Sequence, residues 1–125
     1  MIADTTFLIH FLNEGRAGRR GPARMFFAEN RTETVRTTII SLGEIAPSFD
    51  HAPDVWAYFK LWKIYRLHPG VMDAAADVDR ELIRIGERLG ENDNWIAGFC
   101  RYYREPVISL DAAFDPVPRI RRLPY

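Results

Sequence analysis

The sequence has little that would crosslink it or hold it in a membrane. Its single cysteine, Cys100, can form neither an internal disulfide nor a cysteine zinc site alone, so a reducing compartment is expected. No apolar run approaches the roughly 20 residues that a helix needs to cross a bilayer. Residues 1–4 lack the basic region and apolar stretch of a signal peptide. We therefore expect a cytoplasmic protein without membrane association.

The chain also has no net charge, because 17 basic residues balance 17 acidic ones. A strongly basic protein that packs nucleic acid without specificity is therefore excluded. The 125 residues, of which 47% are hydrophobic and 27% charged, have the composition of a folded protein and can bury a core of their own. We expect a single domain over residues 1–125.

Short apolar stretches alternate with helical patterns along the whole chain. Apolar spacing and turn residues predict helices over 5–13, 22–30, 41–49, 53–63, 73–89 and 94–104. Strands are expected near residues 1–3, 34–40, 64–68, 107–110 and 120–123. This alternation predicts an α/β sandwich in which helices cover both faces of a short parallel sheet.

Four acidic residues fall at equivalent places in this arrangement. Asp4 and Asp111 directly follow predicted strands. Glu44 lies in the first turns of the helix predicted over 41–49, and Asp93 stands at the start of the helix predicted over 94–104. The carboxyl ends of parallel strands meet at one edge of a sheet, so all four side chains can converge there. Each aspartate alone is equally typical of a helix cap, and the stretch from Ser41 to Glu44 matches a capping box.

A cluster of carboxylates is more informative than its separate members. Gathered acids repel one another, which raises their pKa values and costs stability unless a cation compensates them. Mg²⁺ and Mn²⁺ prefer oxygen ligands and commonly use one or two carboxylates together with water. The histidines His10, His51 and His68 are scattered and offer no competing zinc site. We therefore expect Mg²⁺ or Mn²⁺ at this edge of the sheet.

Several short motifs resemble those of PIN-domain proteins. Residues 1–9 (MIADTTFLI) resemble the opening apolar stub and Asp-Thr-Ser/Asn motif of that family. Residues 93–98 (DNWIAG) are similar to its Asp-x-x-Ile-Ala-Ala helix start, and residues 107–114 (VISLDAAF) to its fourth strand and the acid after it. Glu44 matches the glutamate in the helix after the second strand. The motifs occur in the family's order, and the match covers the whole chain.

The resemblance implies a PIN-like three-layer α/β/α sandwich with a parallel sheet of about four to five strands. Short members are mostly VapC-type toxins, so it also implies an Mg²⁺- or Mn²⁺-dependent endoribonuclease that leaves 5′-phosphate and 3′-hydroxyl ends. An RNA substrate, a cognate antitoxin and a homodimer are implied as partners. The implied catalytic and metal-binding residues are Asp4, Glu44, Asp93 and Asp111, with Thr6 and Ser109 in support.

The sequence departs from the family pattern at four places, the first of which is an apolar stub before Asp4 that is shorter by about one residue. Thr6 is bulkier than the usual serine, Gly98 replaces a usual alanine, and Leu110 stands where a polar or basic residue is common. Asp115 is an alternative to Asp111 as the fourth acid. We favour Asp111 because it directly follows the strand.

Two further groups of residues are candidates for partner contacts. The densest basic segment is the predicted RNA-binding loop with Arg16, Arg19, Arg20 and Arg24, although solvated surface is an equal explanation. The aromatic-rich stretch over 49–62 is best explained by core packing, with a groove for an antitoxin helix or a dimer contact as the alternative.

Two other classes of function compete with the ribonuclease. One is a catalytically silent PIN-like module that binds RNA or protein, which the presence of all four acids argues against. The other is a haloacid-type phosphatase or receiver-like domain. The run Asp4-Thr5-Thr6 lacks the second aspartate of the phosphatase motif, and the only two lysines lie on a predicted helix rather than after a strand.

Overall fold

The computed structural model describes all 125 residues and contains one five-stranded sheet. The strands are short and all parallel, and they lie in the order β3-β2-β1-β4-β5. Their bounds are β1 Ile2–Ala3, β2 Arg36–Thr38, β3 Lys63–Tyr65, β4 Val107–Ile108 and β5 Arg122–Leu123. The predicted parallel sheet is confirmed, and its central strand β1 lies between strands from opposite halves of the sequence.

Six helices connect the strands: α1 Thr5–Arg16, α2 Pro22–Glu29, α3 Ile39–Ile45, α4 Asp54–Tyr58, α5 Pro69–Ile85 and α6 Glu91–Tyr103. Single 3-10 turns cover Ala46–Ser48 and Ala112–Phe114. Pro22 begins α2, as its fixed φ favours. Helix α5 begins at Pro69, four residues before its predicted start, and it ends at the left-handed Gly86.

Two hydrophobic cores lie on opposite faces of the sheet. Because successive strand residues point to opposite faces, Ile2 and Val107 pack with α5 and α6, whereas Ala3 and Ile108 pack with α1 to α4. The two cores make the molecule a three-layer α/β/α sandwich, as predicted. No helix of the chain is long and apolar enough to cross a bilayer.

The start of α3 differs from its prediction and changes the interpretation of Glu44. The β-branched run over 34–40 is divided, so that β2 ends at Thr38 and α3 begins at Ile39. The Thr38 side chain caps α3 by accepting a hydrogen bond of 3.1 Å from the Ser41 amide. The predicted capping box from Ser41 to Glu44 is therefore wrong, since Ser41 is buried inside the helix. Glu44 is free to project towards other elements.

Helices α5 and α6 approach closely at Gly98. A Cβ atom added at Gly98 would lie 2.6 Å from the Cβ of Ala75 and 3.0 Å from its Cα. The glycine that departs from the family's usual alanine therefore permits the contact between the two helices. On α5, the helical spacing buries Val78 and Leu82, whereas Ile85, the last residue of the helix, is exposed.

The aromatic stretch over 49–62 contributes chiefly to the core, as expected. Phe59 is fully buried, and Phe49 and Trp62 pack against the same core. Trp56 and Tyr58 keep 45% and 40% of their surface exposed. Trp56 borders an apolar groove of about 300 Å³ between α3 and α4. The alternative explanation, a surface for an antitoxin helix or a dimer contact, therefore applies only to this part of the stretch.

Candidate active site

Asp4 lies at the centre of the carboxyl edge of the sheet. It directly follows β1, and its amide donates a 3.1 Å hydrogen bond to the Ile108 carbonyl at the end of β4. Its carboxylate caps α1 by accepting a 2.6 Å hydrogen bond from the Phe7 amide. The residue is only 3% exposed. The cap explanation for Asp4 is thus correct, but the second carboxylate oxygen is not used by it.

Ser109 links Asp4 with Asp111. The residue follows β4 beside Asp4 and is fully buried. Its hydroxyl accepts a 3.0 Å hydrogen bond from the Asp111 amide and hydrogen-bonds the Asp4 carboxylate. Asp111 itself caps the following 3-10 turn by accepting a 2.8 Å hydrogen bond from the Ala113 amide, and its side chain is exposed. A single buried hydroxyl therefore holds the ends of β1 and β4 in fixed relation.

Asp93 lies in the first turn of α6, but it is not the helix cap. The cap position is occupied by Gly90, and no side chain satisfies the first amides. Burial raises the pKa of the Asp93 carboxyl, and the negative charges of Asp111, Asp4 and Glu44 raise it further. The other three predicted acids are therefore near enough for their charges to act on Asp93, although the four are distributed over 108 positions of the chain, from 4 to 111.

Glu44 is held by two residues that the sequence patterns did not single out. Its carboxylate accepts a short hydrogen bond from the Thr5 hydroxyl and one of 2.8 Å from the Asn92 side-chain amide. Thr5 follows Asp4 and Asn92 precedes Asp93, so the neighbours of two acids orient a third. Their positions beside motif aspartates were the only signal available in the sequence. Thr6, the predicted supporting residue, is exposed and makes no side-chain hydrogen bond within the chain.

The charges of the four acids are not neutralised within the protein. The ion pairs of the chain involve other carboxylates, namely those of Glu105, Asp77, Asp79, Glu81 and Asp115. Burial raises the pKa of Asp4; hydrogen bonds from Ser109 and Phe7 oppose this increase, and the charge of Asp111 adds to it. Such a group of unpaired carboxylates is one that a cation would stabilise.

Asp115, the alternative fourth acid, is engaged elsewhere. Arg122 donates two hydrogen bonds to its carboxylate, of 2.7 Å and 2.9 Å, and these bonds lower its pKa. A carboxylate that is already paired in this bidentate way is a poor metal ligand. The pairing therefore favours Asp111 over Asp115.

The four carboxylates are suitable ligands for a hard divalent cation, but their positions limit how many can bind it directly. Carboxylate oxygens are the ligands that Mg²⁺ and Mn²⁺ prefer. However, no three histidine, cysteine or acidic side chains are placed together closely enough to hold a metal ion directly. The arrangement suits a cation that is bound by one or two carboxylates and keeps its other ligands as water.

Two of the four arginines in the predicted RNA-binding loop have partners within the chain. The Arg24 guanidinium lies 4.4 Å from the Phe11 ring centroid and donates hydrogen bonds to the Phe11 carbonyl and the Tyr58 hydroxyl. Arg16 donates a 3.1 Å hydrogen bond to the Ser48 carbonyl. Arg19 and Arg20 are exposed and make no side-chain hydrogen bond. RNA binding by this segment stays a prediction. Arg19 and Arg20 could contact RNA without breaking a contact within the chain.

Comparison with known proteins gives likenesses in structure alone. No protein-family model matches the chain, and no curated protein matches its sequence. A chain in the crystal structure of VapBC2 from Rickettsia felis bound to a promoter DNA fragment superposes with a TM-score of 0.82 at 13% identity, over 99% of this chain and 97% of the other.

Two further solved structures give the same result. DNA-bound VapBC from Salmonella typhimurium has a TM-score of 0.79 at 19% identity, with coverages of 98% and 96%. FitAcB from Neisseria gonorrhoeae has a TM-score of 0.73 at 14% identity, with coverages of 98% and 95%. The chain therefore has the PIN-like fold that its motifs predicted, a fold that it shares with chains of VapBC complexes.

Proposed function

We propose that the protein is a divalent-metal-dependent endoribonuclease and the toxin of a toxin–antitoxin pair. The observation that carries this proposal is the group of unpaired acids at the carboxyl edge of the sheet, two of them with raised pKa values. The shared fold with chains of VapBC complexes supports the biological role.

Each acid has a distinct task in the proposed reaction. Asp4 and Asp93 would hold the cation, because they are the most buried of the four and gain most from a positive charge. Glu44 and Asp111, which are more exposed, would orient water. The chemistry that Mg²⁺ or Mn²⁺ supplies when bound is polarisation of the phosphodiester and acidification of a water molecule.

The other residues position these acids. Thr5 and Asn92 fix the Glu44 carboxylate, so that its free lone pairs can accept the proton of a water molecule as it attacks phosphorus. Ser109 keeps the Asp4 and Asp111 ends of the site in register. Attack would break the bond between phosphorus and the 3′ oxygen, and this oxygen would take up a proton from solvent, so that the products are a 5′-phosphate and a 3′-hydroxyl.

The test is cleavage of a labelled single-stranded RNA in the presence of Mn²⁺. We expect cleavage by the unmodified protein and its loss in Asp4→Asn and Asp93→Asn. Asp115→Asn is the matched control, since it removes an acid that pairs with Arg122 outside the cluster, and it should retain cleavage. Activity that persists in the Asp4→Asn, Asp93→Asn double variant would reject the assigned site. Absence of cleavage by the unmodified protein would favour a silent RNA- or protein-binding module.

The proposed partners follow from the same role. We propose an antitoxin as the protein partner, a homodimer as the assembly and the cytoplasm as the location. The apolar groove beside Trp56 offers a surface for a partner side chain. Co-expression with the product of a neighbouring short reading frame tests the pair, since a true antitoxin would copurify with the protein and suppress cleavage.

A further inference from the structure

A second cleft lies away from the four acids. It has a volume of about 910 Å³ and is formed by α5, the C-terminal end of α6 and the segment before β5. Arg104, at the end of α6, borders it, whereas Asp93 lies in the first turn of the same helix. The helical rise between these residues is about 16 Å. The cleft is therefore separate from the proposed active site and is of a size that accommodates small molecules.

The cleft is lined by four arginines and three acids, Asp73, Asp77 and Glu105, and two of the arginines have no partner. Four arginines line it, which are Arg101, Arg104, Arg119 and Arg121. Arg101 and Arg119 share a single carboxylate, that of Glu81, at 3.0 Å and 2.8 Å. Arg104 and Arg121 make no side-chain hydrogen bond or ion pair. Two acids that also line the cleft are already compensated from outside it, Glu105 by Arg36 and Asp77 by Arg80.

Two of these arginines have an unusual backbone conformation. Arg104 and Arg119 have φ values of 55° and 63°, and they are the only residues other than glycine with positive φ. Glycine adopts this conformation without strain, whereas a Cβ atom makes it unfavourable. Both arginines line the same cleft, so two of its charged side chains stand on backbone that would suit glycine better.

The other side chains of the cleft suit a nucleobase. Tyr102 borders it with 48% of its surface exposed, and its ring lies edge-to-face with His68 at 4.6 Å. Gly70 lets this ring lie close to α5, because an added Cβ would come within 2.3 Å of Tyr102 Cε2. Asp73 lines the same cleft without an ion-pair partner and can accept N–H groups of a base. Tyrosine faces stack on bases of any kind.

We propose that this cleft binds a nucleotide. Arg104 and Arg121 bind its phosphate, Tyr102 stacks on its base, and Asp73 accepts hydrogen bonds from the base. The ligand chemistry is a phosphate joined to a nucleoside, and it has two possible sources: a free mononucleotide, or one nucleotide within a single-stranded RNA. Nucleotide binding in this cleft would be separate from RNA cleavage, and the proposal does not depend on the proposed ribonuclease activity.

Calorimetric titration tests the proposal, with EDTA present so that the acidic site is inactive. The probes are guanosine 5′-monophosphate, guanosine, inorganic phosphate and a six-nucleotide single-stranded RNA. Arg104→Gly is the main variant, because glycine suits the backbone at φ 55° and the fold should melt at the same or a higher temperature. Arg66→Gly is the control, since Arg66 is exposed, unpaired and outside the cleft.

We expect Arg104→Gly and Tyr102→Ala each to weaken binding about tenfold, whereas Arg66→Gly changes it less than about twofold. If Arg104→Gly and Tyr102→Ala weaken binding of guanosine 5′-monophosphate, the ligand is a free nucleotide. If these two variants weaken binding of the six-nucleotide RNA alone, the ligand is a nucleotide within a strand. Equal affinities of Arg104→Gly and the unmodified protein for all four probes would overturn the proposal. Binding of inorganic phosphate alone, insensitive to Tyr102→Ala, would overturn it as well.

Discussion

Metal-dependent stability is the most direct prediction of the proposed metal site. Binding of Mn²⁺ to the folded protein alone, at a concentration 100 times its dissociation constant, would contribute about 2.7 kcal/mol. The entropy of unfolding for 125 residues is about 0.26 kcal/mol/K. We therefore expect saturating Mn²⁺ to raise the melting temperature by about 10 °C.

Asp93→Asn should change this response in two ways. Without metal, the variant should melt at a higher temperature than the unmodified protein at neutral pH, because it removes a charge that burial and three neighbouring acids disfavour. With Mn²⁺, its increase in melting temperature should be much smaller, because a proposed ligand is lost.

The pH dependence of this difference has a defined sign. The pKa of Asp93 is raised in the folded state, so the native protein binds more protons than the unfolded chain above the ordinary value of 3.8. The penalty from its charge is absent below that pH and is complete above the folded-state pKa. The stability advantage of Asp93→Asn without metal should therefore grow as the pH rises through this interval.

Differential scanning fluorimetry with and without Mn²⁺ measures these effects. Asp115→Asn is the control and should lower the melting temperature slightly, since it loses the pair with Arg122, while it leaves the Mn²⁺ response unchanged. An equal Mn²⁺ response in Asp93→Asn and the unmodified protein would refute the reasoning and would point to metal bound elsewhere.

Further predictions concern residues near the site and between the helices. Thr5→Val and Asn92→Ala should each reduce RNA cleavage with little change in melting temperature, because they release Glu44; unchanged cleavage would contradict this role. Gly98→Ala should destabilise the protein by about 1–3 kcal/mol in urea unfolding, since it forces α5 from α6. The control Gly43→Ala has open space and should stabilise by about 0.5–1 kcal/mol. Burial raises the pKa of the Cys100 thiol, so iodoacetamide should modify Cys100 only on unfolding.

Much of the fold could be predicted because short-range patterns determine it. The buried face of α1 consists of Phe7, Leu8, Phe11 and Leu12, and this apolar spacing alone is enough to predict a helix and its inward face. The limits of β2 and α3 could not be predicted in this way. Their β-branched run favours a strand throughout, and only the hydrogen bond to the Thr38 side chain ends it.

The candidate site shows the same division. The positions of the four acids could be expected from strand ends and helix starts, which the topology brings to one edge. The hydrogen bonds of Glu44 could not, because Thr5 and Asn92 meet it only after α1, α3 and α6 have packed together. Likewise, nothing in the sequence around Asp115 indicated its pairing with Arg122, seven residues away on β5.

The central place of β1 has a consequence for how the molecule is made. Ile2 pairs with Arg36 on one side and with Val107 on the other, so β1, which is synthesised before the other four strands, gains its second neighbour only after more than a hundred further residues. Closing so long a loop is slow compared with forming the helices. In a nascent chain, the acids at the ends of β1 and β4 would therefore stay apart until β4 emerges, and synthesis itself would delay the appearance of the proposed ribonuclease activity.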